Sequence, residues 1–326
     1  MKKIFLMGLL VVAVLSFGTS FFIYPVEIGP ILTASFGEFR GTGNRGPHFH
    51  MGIDLSTNMR SGVPILAAAD GWLVRVEIDE DDIYGNVIVL EHENGYRTLY
   101  AHLSDFSSKV QDIVRSVVNE FGKRRIVVEF PEKTIFFKVG EVIGFSGRTG
   151  EAAQPHCHFE VRSLDESVCY DPMDFLPLVI PSDARFEVRS LIIDGERYTY
   201  SPGRVYLFKG DIPKIAINAV TVSGRNVLGL KRIRLYFDGT LAYELDFSTI
   251  PWNEFNNVWA IYTRDSVSDG YTYSAWYKLY PELGSSLVKV NRFAEIARLP
   301  KQSRVKITLT DVWNRNFDVE FLVERR

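Results

Sequence analysis

Residues 156–162 read HCHFEVR, and polar and apolar side chains alternate along this stretch. Alternation with a period of two is typical of a β-strand, because successive side chains point to opposite faces of a sheet. His156 and His158 therefore share one face, while Cys157, Phe159 and Val161 face a core. The stretch predicts a strand that carries two imidazoles side by side.

A second element that joins a histidine to a carboxylate, HMGID, occupies residues 50–54. Gly52 and the strand-favouring residues after it predict a strand entered through a turn, with His50 and Asp54 on one side. Between the two elements lies YAHL at 100–103, which carries His102. The chain has only six histidines, and four of them fall in these three motifs. The motifs therefore predict a histidine-rich site where strands meet across a sheet.

Imidazole nitrogens and a carboxylate are the ligands that zinc prefers when thiolates are absent. Two histidines and one aspartate give three protein ligands and leave a fourth position for water, which is the arrangement of a catalytic zinc site. The sequence contains no H-E-x-x-H motif, so a histidine near the metal would have to transfer the proton. These residue types indicate a zinc site with catalytic histidines beside it.

Residues 35–176 resemble the lysostaphin-type, or LytM-type, zinc endopeptidases that cut peptidoglycan cross-links. The similarity rests on SFGEFR (35–40), HFHMGIDLS (48–56), GVPILAAADGWL (62–73), YGNVIVLEHENGYRTLYAHL (84–103), KVGEVIGFSGRTG (138–150) and PHCHFEVR (155–162). The resemblance implies one zinc ion per chain, held by His50, Asp54 and His158. It also implies that His102 and His156 are catalytic. No position of the family pattern is lost in this chain.

In such a site zinc lowers the pKa of its bound water and polarises the scissile carbonyl. We expect His156 to handle the proton of the water and His102 to donate to the oxyanion, although the two roles could be exchanged. The predicted function is hydrolysis of the stem or cross-bridge peptides of peptidoglycan. The alternative is a non-catalytic module that binds the envelope or activates another hydrolase. The complete ligand set favours the enzyme.

The N-terminus predicts export. Lys2 and Lys3 precede an apolar segment, Ile4 to Phe17, and residues 18–20 are small, so residues 1–20 are typical of a signal peptide. Because residues 21–24 extend the apolar run, a retained membrane anchor is the alternative. Either version places the protein in the periplasm, the cell envelope or the extracellular space. The net charge of −3 gives no reason to expect a nucleic-acid partner.

The chain is predicted to be mainly β. Residues 21–182 should form an antiparallel β-sheet metallopeptidase domain that keeps the metal, with an insertion at 105–137 made of a helix over 106–121 and a hairpin. The insertion could restrict access to the cleft or be a surface elaboration. Prolines mark a linker near residue 182. Short alternating runs with Asp-Gly turns over 183–326 predict an immunoglobulin-like β-sandwich that folds alone. This second domain could bind an envelope protein.

Three further residues near the motifs are interpreted from their local context. Glu160 shares the face of His158, so it is either a hydrogen-bond partner of that histidine or an exposed polar residue. His92 lies next to the turn at Asn94-Gly95 and is expected to be solvated. His48 is expected to be structural.

Four other residues stay open. Tyr100 and Arg148 either contact substrate or serve packing and surface roles. Cys157 and Cys169 are either a disulfide, which export would permit, or two free buried thiols.

Overall fold

The computed structural model describes residues 21–41, 43, 45–79, 82–269 and 272–326. The predicted signal at 1–20 lies outside these described residues. The described chain is mainly β with antiparallel sheets, which confirms the predicted fold class.

The regular elements before residue 182 follow one another closely along the chain. In chain order they are β1 (Leu32–Ala34), β2 (Phe39–Arg40), β3 (His48–Phe49), β4 (Ile53–Ser56), β5 (Pro64–Leu66), β6 (Gly71–Ile78), β7 (Val87–Glu91), β8 (Tyr96–Ala101), β9 (Asp105–Phe106), α1 (Ser108–Phe121), β10 (Ile126–Glu129), β11 (Phe136–Phe137), β12 (Val142–Phe145), β13 (His156–Ser163), β14 (Val168–Tyr170) and a 3₁₀ helix at Pro172–Asp174.

Most of these strands join one sheet, in the order β1-β4-β13-β8-β7-β6-β10. The neighbouring pairs are antiparallel. Side chains of β7 and β13 are buried on both faces, so the centre of the sheet is covered on both sides. The order places β4, β13 and β8 next to one another. The three histidine motifs therefore meet at one place in the sheet.

Helix α1 begins at Ser108, two residues later than the spacing predicts. Phe106 belongs instead to β9, which pairs with β12. Val110 and Val114 are the buried side chains of the helix and lie four residues apart, one turn along the same face. The helix ends at Gly122, whose φ of 87° is a conformation that glycine adopts without strain.

The rest of the insertion is not the hairpin that the sequence predicts. Strands β10 and β11 do not pair with each other, and both pair antiparallel with β6. They form one interrupted strand along the edge of the sheet, with the turn at Pro131 between them. Strands β6, β7 and β8 separate β10 and β11 from β13. These two strands of the insertion therefore lie away from the histidine motifs.

The apolar residues 21–24 pack against the domain. Phe22 is buried, and its ring contacts Phe175 and His92. The hydroxyl of Tyr24 donates a hydrogen bond to the carbonyl of Pro177 at 3.0 Å. The apolar character of Phe22 and Tyr24 thus has a structural reason within the folded domain, whereas Phe21 and Ile23 are exposed.

The elements after residue 182 are again mostly strands. They are β15 (Arg185–Ile193), β16 (Glu196–Thr199), β17 (Val205–Phe208), β18 (Ile215–Ser223), β19 (Asn226–Leu228), β20 (Arg232–Phe237), β21 (Thr240–Asp246), β22 (Thr249–Pro251), 3₁₀ helices at Trp252–Glu254 and Asn257–Ala260, β23 (Val267–Ser268), β24 (Tyr273–Ser274), β25 (Trp276–Lys278), β26 (Val288–Asn291), α2 (Phe293–Ile296), β27 (Gln302–Thr310) and β28 (Asn316–Arg325).

Two larger sheets organise this part of the chain. One has the order β16-β15-β18-β19, with β25 also beside β18, and the other has the order β17-β28-β27-β20-β21-β26. The predicted turn at Asp194-Gly195 joins β15 to β16, and both residues have positive φ as tight hairpins require. Stacking of Phe186 on Phe317 joins the two sheets. Strand β17 pairs with β28 in parallel, and the immunoglobulin-like topology stays a prediction.

The parts before and after the predicted linker are in extensive contact. Strand β22 pairs with β14 and so adds to the sheet of the first half. The carbonyl of Phe255 accepts a hydrogen bond from the backbone N–H of Phe49. The apolar core runs through both parts without a break. We call residues 21–182 the N-terminal half and residues 183–326 the C-terminal half, and the boundary between them stays a prediction.

Candidate metal centre

Strand register brings the three histidine motifs together. In the pairing of β4 with β13, Asp54 lies opposite His158. In the pairing of β13 with β8, His158 lies opposite Ala101, the residue before His102. His50 precedes β4 and is buried. The pairing of the adjacent antiparallel strands β4, β13 and β8 therefore brings these residues close together.

Three of these side chains point donor atoms at one another. His50 Nε2 lies 3.0 Å from Asp54 Oδ1 and 3.0 Å from His158 Nδ1. His158 Nδ1 lies 3.0 Å from Asp54 Oδ1. The three atoms form a nearly equilateral triangle. The residues that the sequence proposes as ligands are thus brought together, and they form a group able to hold a metal ion.

The outer ring nitrogens show where the imidazole protons lie. His50 Nδ1 is 2.9 Å from the carbonyl oxygen of Ser35, and a carbonyl can only accept, so this nitrogen carries the proton. His158 Nε2 is 2.9 Å from Glu160 Oε1, which fixes its proton on the outer side in the same way. In the neutral rings the inner nitrogens therefore present lone pairs. Together with Asp54 Oδ1, three lone pairs then converge whenever both rings are neutral.

The charges around the triangle are consistent with metal binding. Burial would raise the pKa of Asp54, but His50, His156 and His158 hold it well below its usual value, so the group is a carboxylate. Burial, followed by the positive charge of Arg40, lowers the pKa of His50, which is therefore neutral. Burial opposes protonation of His158, but hydrogen bonds to Asp54 and Glu160 outweigh it and raise the pKa to about 9. Metal binding must therefore compete with a proton at His158.

The donor set fits zinc. Two imidazole nitrogens and one carboxylate oxygen are a common ligand set of catalytic zinc. Each ligating ring also donates its other N–H to a carbonyl or carboxylate, which is the usual way that proteins orient zinc-binding histidines. Without a cation or an added proton, three converging lone pairs would repel one another. The convergence therefore indicates a cation site.

His102 and His156 lie beside this triangle, with ring centroids 4.7 Å apart. His156 Nε2 is 3.3 Å from Asp54 Oδ1. Both rings are oriented through Nδ1, which donates to a carbonyl: Thr149 for His102 at 2.9 Å and Gln154 for His156 at 2.8 Å. In the neutral rings Nε2 is then a proton acceptor. The two residues are well placed to take up and return a proton.

The backbone of His102 is strained. Its φ is 60°, in the left-handed region that residues other than glycine adopt infrequently. Burial lowers the pKa of His102 well below its usual value, and His156 and His158 lower it further. The strained turn at the end of β8 thus holds a neutral imidazole beside the metal-binding triangle.

Gly52 permits the close approach of β4 to β13. A Cβ atom at this position would lie 2.4 Å from the carbonyl oxygen of Phe159 and 3.0 Å from His158 Nε2. Any side chain would push the two strands apart. The glycine in the HMGID motif therefore serves the geometry of the site rather than flexibility.

Sequence reasoning missed or left open several groups around the triangle. Glu160 is fully buried and accepts from His158, which decides its open interpretation. Arg162 donates to Glu160 in turn. Arg40 donates to Asp54 Oδ2 at 3.2 Å and so leaves Oδ1 free for a metal. Only Glu160 gave a signal in the sequence, its position two residues after His158.

A family profile matches this part of the chain. Residues 48–117 match Peptidase family M23. The resemblance is confirmed. The matched M23 segment includes His50, Asp54 and His102 and ends before His156 and His158. These findings support a peptidase of the M23 type.

Two relatives show the extent of the similarity. The DD-carboxypeptidase/endopeptidase Mpg of Neisseria meningitidis is 38% identical over 113 residues, which cover 35% of this chain and 20% of that protein. Lysostaphin of Staphylococcus staphylolyticus is 30% identical over 129 residues, which cover 39% of this chain and 22% of that protein. The chain thus spans about a fifth of the length of the curated relatives it matches.

A solved M23 structure gives a related comparison. The catalytic domain of lysostaphin from Staphylococcus simulans aligns with 28% identity and a TM-score of 0.30, covering 43% of this chain and 87% of that domain.

A separate observation concerns membranes: within the described residues, no helix has the length and apolar character needed to cross one.

The remaining histidines of the M23 region take no part in the triangle. His92 is buried, so the expectation that it is solvated is wrong. Its ring nitrogens contact the carbonyl of Asp70 at 2.8 Å and Thr98 Oγ1 at 2.7 Å. His48 is structural, as expected: it contacts the carbonyl of Gly46 and stacks on Phe255.

Four other residues have clear positions. Tyr100 is fully buried, and its hydroxyl accepts from the N–H of Ala68, so its role is packing. Arg148 is exposed. Cys157 and Cys169 are free and buried, and burial raises the pKa of both thiols. The predicted alternative of two buried thiols therefore describes the structure.

Proposed function

We propose that this protein is a zinc-dependent endopeptidase that hydrolyses the peptide cross-links of bacterial peptidoglycan. The observation that carries the proposal is the convergence of His50 Nε2, Asp54 Oδ1 and His158 Nδ1, each 3.0 Å from the other two. These three residues would hold one zinc ion. Bound zinc would polarise a carbonyl and make an attacking water more acidic.

The residues of the chain supply the proton transfers. Water that attacks a peptide carbonyl must lose a proton, and the leaving amine must gain one. His156 Nε2 is an acceptor within 3.3 Å of the metal-facing oxygen of Asp54, so we assign it the proton of the water. The ring of His102 lies 4.7 Å from that of His156, and once protonated at Nε2 it could donate to the oxyanion. The fixed Nδ1 protons of both rings allow either assignment.

The substrate assignment rests on relatives and not on the pocket. The relative with 38% identity is named as a DD-carboxypeptidase/endopeptidase, and lysostaphin is the other. We extend from them to stem or cross-bridge peptides of the cell wall as the substrates of this chain. Export by residues 1–20, or anchoring by them, would place the enzyme with that substrate.

The alternative function is a non-catalytic module that binds the envelope or activates another hydrolase. Such a module has no need of three converging donor atoms or of two further histidines with fixed tautomers. The retained set therefore favours catalysis. A partner in the envelope could still bind the C-terminal half.

The test uses residues 21–326 purified without chelators. Elemental analysis should show one zinc per chain, and digestion of purified sacculi should release peptides whose masses identify the bond that is cut. The His102→Ala variant is the control for contaminating hydrolases. Zinc-loaded protein that releases nothing from sacculi of several cross-link types would support the non-catalytic alternative. Protein that binds no transition metal would refute both the zinc site and the hydrolase.

A further inference from the structure

Each residue of the triangle forms a hydrogen bond to a second group on its outer side, away from the other two residues. Ser35 accepts the outer proton of His50, and Arg40 holds the outer oxygen of Asp54. Glu160 accepts the outer proton of His158 in the same way. The geometry of the triangle depends on these second groups as much as on its own members.

Two of the second groups are held by the C-terminal half. The backbone N–H of Gly229 donates to Ser35 Oγ at 2.9 Å and to Glu38 Oε1 at 3.0 Å. Glu38 also accepts from Arg40 at 2.8 Å. The carboxylate of Glu38 is almost fully buried, so losing one of these donors would leave a buried oxygen without a partner. One N–H group of the C-terminal half thus holds the side chain of Ser35, whose backbone carbonyl accepts from His50. It also holds Glu38, which in turn holds the Arg40 that donates to Asp54.

Glu160, the second group behind His158, is contacted indirectly by another element of the C-terminal half. The guanidinium of Arg162, which donates to Glu160, lies 4.9 Å from the centre of the Trp252 ring. Trp252 follows β22, and the backbone N–H of Trp252 donates to the carbonyl of Ser167 at 2.8 Å. An aromatic face against a desolvated guanidinium is attractive and fixes the plane of that group. The partner of His158 is therefore oriented through Arg162 and Trp252.

The segment that carries His50 is clamped by the same half. The N–H of Gly37 donates to the carbonyl of His50 at 2.8 Å, and the hydroxyl of Tyr262 donates to the carbonyl of Gly37 at 2.8 Å. The N–H of Phe49 donates to the carbonyl of Phe255 at 2.9 Å. His50 is thus fixed through its backbone as well as through its ring.

We propose that the C-terminal half is a positioning element of the metal centre, acting through Gly229 and Trp252. This inference rests on the proposed zinc site. It replaces the sequence-based expectation that residues 21–182 keep the metal unaided. The C-terminal half contains no histidine, and its contribution is to hold Ser35, Glu38 and Arg162 so that three donor atoms stay converged.

The test compares matched variants of residues 21–326. In Gly229→Ala the new Cβ would lie 3.0 Å from Glu38 Cγ and 3.2 Å from Ser35 Oγ, so both must shift. In Gly284→Ala, the control in the same half, the new Cβ meets nothing within 4 Å. Trp252→Ala removes the face against Arg162, whereas Trp252→Phe keeps an aromatic face. Zinc affinity is measured by chelator competition, and the geometry of the site by the visible absorption of the Co²⁺-loaded protein.

We expect Gly229→Ala and Trp252→Ala to bind zinc about 10- to 100-fold more weakly, with an altered Co²⁺ spectrum. Gly284→Ala should match the parent protein, and Trp252→Phe should recover most of the affinity. Thermal unfolding of the metal-free proteins separates this effect from a folding defect. Should Gly229→Ala fail to fold, the two Trp252 variants decide the question.

Folded variants with parental zinc affinity and an unchanged Co²⁺ spectrum would overturn the positioning role while leaving the zinc site intact. A parent protein that binds no zinc would remove the proposed function and this inference with it. The two failures are therefore distinguishable.

Discussion

His158 and His92 are buried imidazoles in the same sheet, with exposed fractions of 3% and 4%, yet their surroundings differ. His92 donates from Nδ1 to a carbonyl, and Nε2 lies 2.7 Å from a hydroxyl oxygen able to donate to it. His158 also donates outward, but its inner nitrogen faces an aspartate oxygen and a second imidazole nitrogen. His92 Nε2 therefore has one hydroxyl partner, whereas the inner nitrogen of His158 shares its space with a carboxylate oxygen and a second imidazole nitrogen.

The difference teaches that burial of a histidine does not by itself indicate a metal. What distinguishes the candidate centre is that the inner nitrogens of its two histidines face each other and a carboxylate oxygen. The inner atoms are then left to converge on a common point.

The largest effect is expected for His158→Ala. Removing one of three donor atoms should abolish stable zinc binding, because the remaining two are too few for a catalytic zinc site. Elemental analysis of the dialysed variant, compared with the parent protein, measures the loss. A variant that keeps a full equivalent of zinc would show that the ligand set is assigned wrongly.

The next effect concerns His102 and His156, the two histidines proposed to be catalytic. His102→Ala and His156→Ala should keep zinc, since neither is a member of the triangle, and should lower turnover by about 10²-fold or more. Peptide release from sacculi gives turnover, and elemental analysis confirms the metal. Near-parental turnover in either variant would remove that residue from the mechanism.

A smaller effect is expected for Glu160→Gln. The amide no longer offers His158 a charged acceptor and leaves Arg162 without its buried counter-ion, so zinc affinity should fall about 10- to 100-fold. Glu91→Gln is the control, because Glu91 bonds Arg97 on the same sheet but is more exposed and touches none of the triangle. Chelator competition measures both variants. Equal losses in the two would indicate a general effect of removing a carboxylate.

The smallest effect on the metal is expected at the other end of the sheet. His92→Leu should leave zinc binding unchanged and lower the free energy of unfolding by about 1–3 kcal/mol, because a buried carbonyl and a buried hydroxyl lose a partner. Urea denaturation of the metal-free protein measures the change. Loss of zinc in this variant would contradict the distinction between the two histidines.

The sequence predicted the convergence of the site because the information is local. A period of two places His156, His158 and Glu160 on one face, and HMGID supplies the opposing strand. Strand pairing then needs only adjacent strands to complete the triangle. The helix of the insertion was predicted equally well, since Val110 and Val114 repeat at helical spacing.

The failures have a common physical origin in contacts distant along the chain. His92 was expected to be solvated because a turn follows it, but Phe22 packs on its ring from the N-terminal segment. Likewise, nothing local to Gly229 indicates that its N–H supports Glu38, which lies 191 residues away. The hairpin predicted for the insertion also failed, because β6 offered both of its strands a longer edge to pair with.

The pairing of β22 with β14 bears on the order in which the protein matures. Synthesis proceeds from the N-terminus, so β14 exists before Thr249–Pro251 have been made. Until then its outer edge is a row of unpaired backbone groups, open to wrong partners. Gly229 and Trp252 also arrive after the last candidate metal-binding residue has left the ribosome. The chain thus acquires its candidate metal ligands early and their fixed arrangement late, so the proposed metal centre would be complete only when most of the polypeptide has been made.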